Sequence, residues 1–451
     1  VFARIWEKLG DNRLMARVFR SASLIILGYG ASQGLRLLSN LILTRLLFPE
    51  AFGLMALISV VTVGLTLFSD VGIAPSIAQS KRGDDPAFLN TAWSIQVVRG
   101  GLLWVAACLL AYPLSVFYDQ PALASYLPLA ALSLLVSGFN PTRIETAHRH
   151  LLMGRLTVLD LLSQVIGLIS MIALALILQS VLALVIGGVI GAAAKLALTH
   201  FYLPGDRNRF QWEGAAAKEL ITFGKWIFLS TVFWFFASQG DKAVLGKFLT
   251  LETLGIYNIG YFLASFPLLL GHNVTARVMI PVYREQTEPA RIARLRYGLS
   301  VGVIGLLVVM ALSGPWLVDL LYDARYALSG AIIVLLAVAL IPQVIGMTYD
   351  QAALAAGDSR RFFVYSAIRS SLQVGMLFVG AVYAGLIGAI IGMGLAMVLS
   401  HGVLIWLARA HGVWDPRHDG LFAGVGLATA VTAGWMHWGP IAALWAASGQ
   451  P

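Results

Sequence analysis

Apolar runs follow one another along most of this chain, each roughly 20 residues or longer and separated by short polar breaks. A helix of that length, rising about 1.5 Å per residue, crosses a hydrocarbon core of about 30 Å. Twelve such runs stand out, at 21–46, 51–78, 90–117, 121–139, 155–178, 181–203, 220–248, 254–282, 295–321, 327–356, 362–383 and 386–409. A further stretch at 420–438 is long enough for a thirteenth, and the closing "GPIAALWAASGQP" is too short for another. The runs are apolar throughout and do not alternate, which excludes the strands of a membrane barrel. The fold class expected is therefore all-α and polytopic. A mean hydropathy of +0.81 with only 12% charged residues lies outside the range of soluble domains.

The polar breaks are not equivalent. One set carries Lys81 and Arg82; Arg143, Arg149 and Arg155; Arg207, Arg209, Lys218 and Lys225; Arg284, Arg291, Arg294 and Arg296; Arg360 and Arg361; and Arg409 and Arg417. The alternate set carries only Arg45, Lys247 and Arg325. Cations concentrate on the cytoplasmic side, so the N-terminus is expected inside. The net charge of +9 reads as topology and not as a nucleic-acid surface. Ahead of the first run, residues 1–20 place Ile5, Trp6, Leu9, Met15, Val18 and Phe19 on one side, with Arg4, Lys8, Arg13, Arg17 and Arg20 between them. That pattern suits a helix lying on an anionic membrane surface.

The chain also repeats itself. Setting Leu43 over Leu245 aligns Arg45 with Lys247, Leu47 with Leu249, Glu50 with Glu252 and Gly53 with Gly255, without a gap. "ASQGLR" (31–36) and "ASQGDK" (237–242) add a weaker echo. Six spans separate the copies, so both start from the same face and the repeat is parallel. The expected organisation is an amphipathic segment (1–20), an N-terminal lobe of six helices (21–203), a cytoplasmic linker (204–219), a C-terminal lobe of six helices (220–411) and an extension (412–451) with the thirteenth candidate span.

A charge inside a span costs about 2.5–3.5 kcal/mol on insertion scales. Arg36, Arg99, Lys195, Lys242, Arg277 and Arg369 fall there. Lys195 and Arg277 lie close enough to a cytoplasmic end to snorkel. Arg36 belongs to a stripe spaced by four, Gly28, Ser32, Arg36, Asn40 and Thr44, on one helix face. Gln96 with Arg99, Asp241 with Lys242, and Tyr365, Arg369 and Gln373 extend the polar set to other spans. Two lobes facing a hydrated cavity account for this distribution. Guanidinium with hydroxyl and amide groups suits an anionic, sugar-bearing ligand, because arginine matches phosphate oxygens in bidentate fashion. The candidate ligand-contact residues are Arg36, Arg99, Lys242, Arg369, Asn40, Ser32, Gln96 and Gln373. Asp70, Asp241 and His272 are the candidates for an ion or proton that couples transport. Gly298-x-x-x-Gly302 and Gly388-x-x-x-Gly392 have the spacing of close helix contacts.

No metal-binding or catalytic motif is present, and the aspartates of "KRGDDP" (81–86) read as a solvated turn. The single cysteine, Cys108, excludes an internal disulfide. No cofactor is expected, and without an ATP motif, transport would draw on an H+ or Na+ gradient or on the cargo's own gradient.

"LTRLLFPEAFGLMAL", "FSDVGIAPSIAQSK" (68–81), "GDKAVLGKFLTLETLGIYNIGYFL" (240–263), "MIPVYRE" (279–285) and "ALAAGDSRRFFVYSAIRS" (353–370) together resemble the polysaccharide transporter family. These are the Wzx-like lipid-linked oligosaccharide flippases of the multidrug/oligosaccharidyl-lipid/polysaccharide (MOP) superfamily. The likeness runs over residues 20–411. It implies two six-helix lobes forming a V around a central cavity, sometimes with two added helices. It implies a transporter, not an enzyme, in the bacterial cytoplasmic membrane. Its cargo would be a polyprenyl-diphosphate-linked oligosaccharide, moved from the inner to the outer leaflet for exopolysaccharide, capsule or O-antigen synthesis. Membrane lipid, a glycan polymerase and export machinery are the partners implied. Three other readings stay open: an ion-coupled drug or cation antiporter of the same fold, a membrane glycan polymerase or ligase, and an uncoupled scrambling or scaffold protein.

Overall fold

A computed structural model describes residues 13–70, 72–150, 152–285 and 288–447. Most of the amphipathic segment expected at 1–20 lies outside them; the first described residue, Arg13, is already helical. In chain order the helices are α1 (Arg13–Leu46), α2 (Pro49–Phe68), α3 (Ile73–Gln79), α4 (Pro86–Phe117), α5 (Ala122–Gly138), α6 (Arg143–Arg149), α7 (Met153–Leu178) and α8 (Val181–Tyr202). They continue as α9 (Gly214–Phe248), α10 (Leu251–Arg284), α11 (Pro289–Leu321), α12 (Leu328–Gly346), α13 (Asp350–Ala355), α14 (Ser359–Ala410), α15 (Pro416–Met436) and α16 (Trp438–Ala447). No strand occurs among the described residues. Among the described residues eight spans are long and apolar enough to cross a membrane, or nine if the bent pair α5 and α6 counts as one. The 52-residue α14 is two helices folded back at Ala384 and Gly385, where the sequence places the gap between its eleventh and twelfth runs. In hydrocarbon every backbone N–H and C=O needs an internal partner, which is why these apolar runs are helical.

Two compact units divide the chain: Val1–Leu47 with Val61–Val232, and Phe48–Val60 with Phe233–Pro451. In the first, α4 starts at Pro86 with Asp85 accepting a hydrogen bond from Ala87 N, an N-cap followed by proline at the first helical position. It packs on α5 at Gly100, where an added Cβ would stand 2.9 Å from Gly138 Cα. Small residues at such crossings let backbones approach, and in lipid that packing replaces the hydrophobic effect. The stretch expected as the inter-lobe linker runs along α4. Arg209 N, Gln211 N and Glu213 N donate to Asn90 Oδ1, Ser94 Oγ and Thr91 Oγ1 at 3.0, 3.0 and 3.1 Å. The aspartate turn is tied down too. Arg149 donates to the carbonyls of Ile77, Ala78 and Ser80 and to Asp84, and Arg82 bridges Asp85 and Glu213. A hydrogen bond from His150, with Arg149 adding its charge, holds Asp84 below the ordinary carboxylate range.

The second unit contains both of the repeated glycines. A Cβ on Gly53 would stand 2.0 Å from the Leu251 carbonyl oxygen, and one on Gly255 would stand 1.9 Å from that of Pro49. Pro49 and Leu251 are themselves matched positions of the repeat, so the two copies touch reciprocally, backbone on backbone. Phe52 edges onto the buried Tyr326 beside them. The hairpin of α14 closes in the same manner: Gly388 lies against the Gly380 carbonyl and Gly392 against that of Met376. Gly298 and Gly302, with identical spacing, face open space; the spacing there marks no helix contact. The core of this unit is α12, buried along nearly its whole length. It breaks at Met347–Tyr349 before α13 resumes.

Candidate functional site

The break after α12 buries four consecutive polar residues: Thr348, Tyr349, Asp350 and Gln351 are 0, 0, 8 and 2% exposed. Thr348 and Tyr349 face one network. Arg296 donates to Thr348 Oγ1 (3.2 Å) and to Tyr283 Oη (3.2 Å) and stacks over the Tyr349 ring at 4.6 Å. Tyr349 Oη donates to Asp419 Oδ1 at 2.7 Å, and Trp414 Nε1 donates to Asp419 Oδ2 at 3.1 Å. His401 Nε2 pairs with Asp419 Oδ2 (3.0 Å), and His418 Nδ1 with Asp419 Oδ1 (3.1 Å). Ser300 Oγ lies 2.9 Å from His418 Nε2, which completes a serine–histidine–aspartate order. Ser300 and His418 are 1 and 0% exposed, so no substrate reaches them. This network docks the start of α15 on α11 and α14.

Asp350 and Gln351 belong to a second polar cluster of the same unit. Gln351 Nε2 donates to Asp350 Oδ1 at 2.9 Å. Asp350 lies in electrostatic range of His272 on α10 and Arg369 on α14. Arg369 interacts in turn with Tyr261 and hydrogen-bonds Tyr365. Its Nε and Gln351 Oε1 are buried without a hydrogen-bond partner. Asp241, 3% exposed, accepts from Tyr257 Oη at 2.8 Å. The neighbouring Lys242 reaches over the Tyr261 ring at 5.4 Å. Of the residues anticipated in this half, Lys242 touches Tyr261, and Arg369, Asp241 and His272 lie in electrostatic range of Tyr261 or Asp350. Gln373 instead donates to the Ala237 carbonyl at 3.3 Å, a tie between α14 and α9.

In the first unit Ser32 Oγ donates to Gln164 Oε1 at 2.8 Å, joining α1 to α7. Arg36 donates to Gln33 at 3.3 Å, and the carbonyl of Asn40 accepts from Thr44 at 2.8 Å. Arg99 Nη2 donates to the Thr66 carbonyl at 2.6 Å and its Nε to Ser69 Oγ at 2.9 Å. Asp70 lies in its electrostatic range and accepts from Gly72 N at 2.8 Å. Arg99 and Asp70 therefore hold the break between α2 and α3. Gln96 is drawn to the carbonyls of Ser137, Gly138 and Asn140 at the end of α5. Lys195 pairs with Asp160 across α7 and α8 at 2.9 Å.

Two acids within the expected spans, Asp160 and Asp350, escape a reading that starts from buried cations. "TYDQ" (348–351), an unbroken polar run inside an apolar one, was the available signal for Asp350. Asp160 stands alone in "LTVLDLLSQV", and only its partner on another helix gives it a role.

The chain is helical and polytopic, with broken spans and charges at the breaks, and comparisons with known proteins find the same fold. The fold is shared with the lipid II flippase MurJ in its inward closed conformation (TM-score 0.68, 12% identity, 90% of this chain and 91% of that one). It is shared also with an inward-facing multidrug transporter of the MATE family of the MOP superfamily (TM-score 0.62, 15% identity, 84% and 94%). The lipopolysaccharide biosynthesis protein WzxC of Escherichia coli K12 is 21% identical over 389 residues, covering 84% of this chain and 77% of its own. The family described as polysaccharide biosynthesis protein matches residues 42–331. The chain belongs to that family and has the all-α, multi-pass fold of the MOP transporters.

Proposed function

We propose that this protein is a flippase, not an enzyme. Its cargo would be a polyprenyl-diphosphate-linked oligosaccharide repeat unit, moved by alternating access from the inner to the outer leaflet of the bacterial cytoplasmic membrane. The glycan would feed exopolysaccharide, capsule or O-antigen synthesis, with a polymerase and export machinery downstream. The observation that carries the reading is Arg369. It is a guanidinium within a span, flanked by Tyr261 and Tyr365, with a buried Nε that has no partner. Such a group is a ready donor to a diphosphate oxygen. Lys242 and Arg36 are its companions in cargo contact. Asn40 and Ser32 serve the sugars, while Arg99, Gln96 and Gln373 hold the helices that carry the site. The parallel halves 21–203 and 220–411 move as the two lobes, with the amino terminus in the cytoplasm. The coupling ion, H+ or Na+, acts through acids and imidazole such as Asp70, Asp241 and His272. Relatives and structural neighbours named for lipopolysaccharide biosynthesis and for lipid II flipping support the same reading.

The test is complementation. Deletion of the gene removes one surface glycan and leaves its lipid-linked precursor in the inner leaflet. The wild-type gene restores export, and Arg369→Ala, present in the membrane at wild-type level, lowers it by about tenfold or more. Full export by that variant rejects the site. The buried acids Asp241 and Asp350 also suit a cation antiporter, as does the MATE-like fold. Restored drug resistance in place of restored glycan would decide for that reading.

A further inference from the structure

Residues 203–213 join α8 to α9, and their charges, with Pro204 and Gly205, suggest a solvated connection. The structure instead pins this strap along its length. Arg143 Nη1 donates to the Leu203 carbonyl at 2.7 Å. Thr142 N donates to Asn208 Oδ1 at 3.0 Å, and Asn208 Nδ2 donates back to Thr142 Oγ1 at 2.7 Å. Beyond Asn208, α4 accepts from the backbone N–H groups of Arg209, Gln211 and Glu213. Between these anchor points Phe210 and Trp212 are 67 and 65% exposed. Phe210 packs at 4.8 Å on Trp93, near the start of α4. Phe201 and Tyr202, exposed as well, are the last two residues of the candidate span α8. The strap thus lies beside the ends of two spans. Its charge is one-sided. Arg207, Arg209 and Lys218 are exposed, and no ion pair engages them among the described residues. Glu213 is paired with Arg82, and Glu219 accepts from Ser80 Oγ at 2.7 Å, which leaves Asp206 to oppose them. Against Gly205 lies the stem of Arg143, itself buried, with Nε and Nη2 lacking a hydrogen-bond partner.

We propose that this strap is a seat for anionic phospholipid: Phe210 and Trp212 enter the headgroup region, and Arg207 and Arg209 bind lipid phosphates. In water, a pinned segment gains nothing by displaying two large aromatic rings. At a membrane surface it does, because such rings settle at headgroup depth. Cations just outside a span are drawn to negatively charged lipid, and arginine matches phosphate oxygens in its planar fork. The orphaned donors of Arg143 leave a positive charge beneath the strap that no direct acid contact cancels. Continuity with Phe201 and Tyr202, at the end of a helix that meets lipid, favours lipid over a protein partner. Because the hydrogen bonds to α4 and to Thr142 already fix the backbone, little order has to be imposed when lipid binds. The inference concerns the membrane and not the cargo, so it stands apart from the flippase reading.

The experiment is native mass spectrometry of the full-length protein in detergent, with dioleoyl phosphatidylglycerol, dioleoyl phosphatidylcholine or inorganic phosphate added. The wild type is expected to hold phosphatidylglycerol more tightly than phosphatidylcholine. Arg207→Gln/Arg209→Gln is expected to lose about ten- to thirtyfold in affinity for phosphatidylglycerol and nothing for phosphatidylcholine. Arg291→Gln/Arg294→Gln removes the same charge at the start of α11 and is expected to change neither. Trp212→Ala is expected to weaken both lipids, since the ring serves either headgroup. If the Arg207→Gln/Arg209→Gln protein does not accumulate, Asp206→Asn decides: removal of the opposing acid is expected to tighten phosphatidylglycerol about fivefold. Equal losses from the two arginine pairs would mean that net charge alone acts, and would overturn the proposal. So would an unchanged phosphatidylglycerol affinity in Arg207→Gln/Arg209→Gln, or no gain in Asp206→Asn. Loss of inorganic phosphate binding alone would assign a free-anion site instead of a lipid seat. A dimer that Trp212→Ala disperses, with lipid binding unchanged, would give the surface to a second copy and reject lipid.

Discussion

Asp419 collects more partners than any other carboxylate described above. Burial works against its ionisation, and hydrogen bonds from His401, His418 and Tyr349 outweigh burial, holding it below the ordinary carboxylate range. An acid whose folded state favours the charged form adds stability above its unfolded pKa of about 4, and the contribution fades as pH falls below that value. The docking of α15 is therefore expected to loosen in acid. Asp419→Asn leaves buried donors facing an amide and is expected to cost about 1–3 kcal/mol at neutral pH. Thermal unfolding in detergent from pH 7 to pH 3 checks both statements, since the variant should start lower and lose less on acidification. None of this was legible in "WDPRHDG" (414–420), where a histidine beside an aspartate reads as a solvated turn. Its partners Ser300, Tyr349 and His401 come from α11, the break after α12 and α14.

Among the helices, glycine shows where sequence pattern succeeds and where it stops. Gly385 has φ 55° and ψ −139°, a backbone region that side chains avoid. It turns one apolar stretch into two antiparallel spans, which the break between runs had already suggested. Gly385→Ala is expected to cost about 1–3 kcal/mol through that strain. Gly302→Ala, with open space around it, is expected to be neutral or to gain up to about 1 kcal/mol of helix propensity. Melting temperatures of the two variants, measured side by side, separate the outcomes. The spacing Gly-x-x-x-Gly could not do so, because it reports a flat helix face and not what lies opposite. The same limit hid the pairing of Lys195 with Asp160. Distance to a helix end was visible in the chain, whereas the neighbouring helix was not.

At the scale of the molecule, apolar run length and the repeat located the helices well, because hydrocarbon leaves the backbone no alternative. The polar interior was half legible. Cations within apolar runs, such as Arg369 and Lys242, stand out in the sequence by their cost. An acid at a helix break, such as Asp350, passes for a loop residue until the break is seen to be buried. Orientation is open to a direct measurement. On a Cys108→Ala background, Lys81→Cys is expected to react with a membrane-impermeant maleimide only after the cells are opened. Asp119→Cys is expected to react in intact cells. The reverse pattern would put the amino terminus outside and overturn the expected orientation. The reciprocal seating of Gly53 and Gly255 has one more consequence. A surface that serves as its own complement is what a twofold axis between identical partners demands. The same residue type therefore furnishes both sides of that seam, and enlarging either one would press a side chain onto the opposite carbonyl.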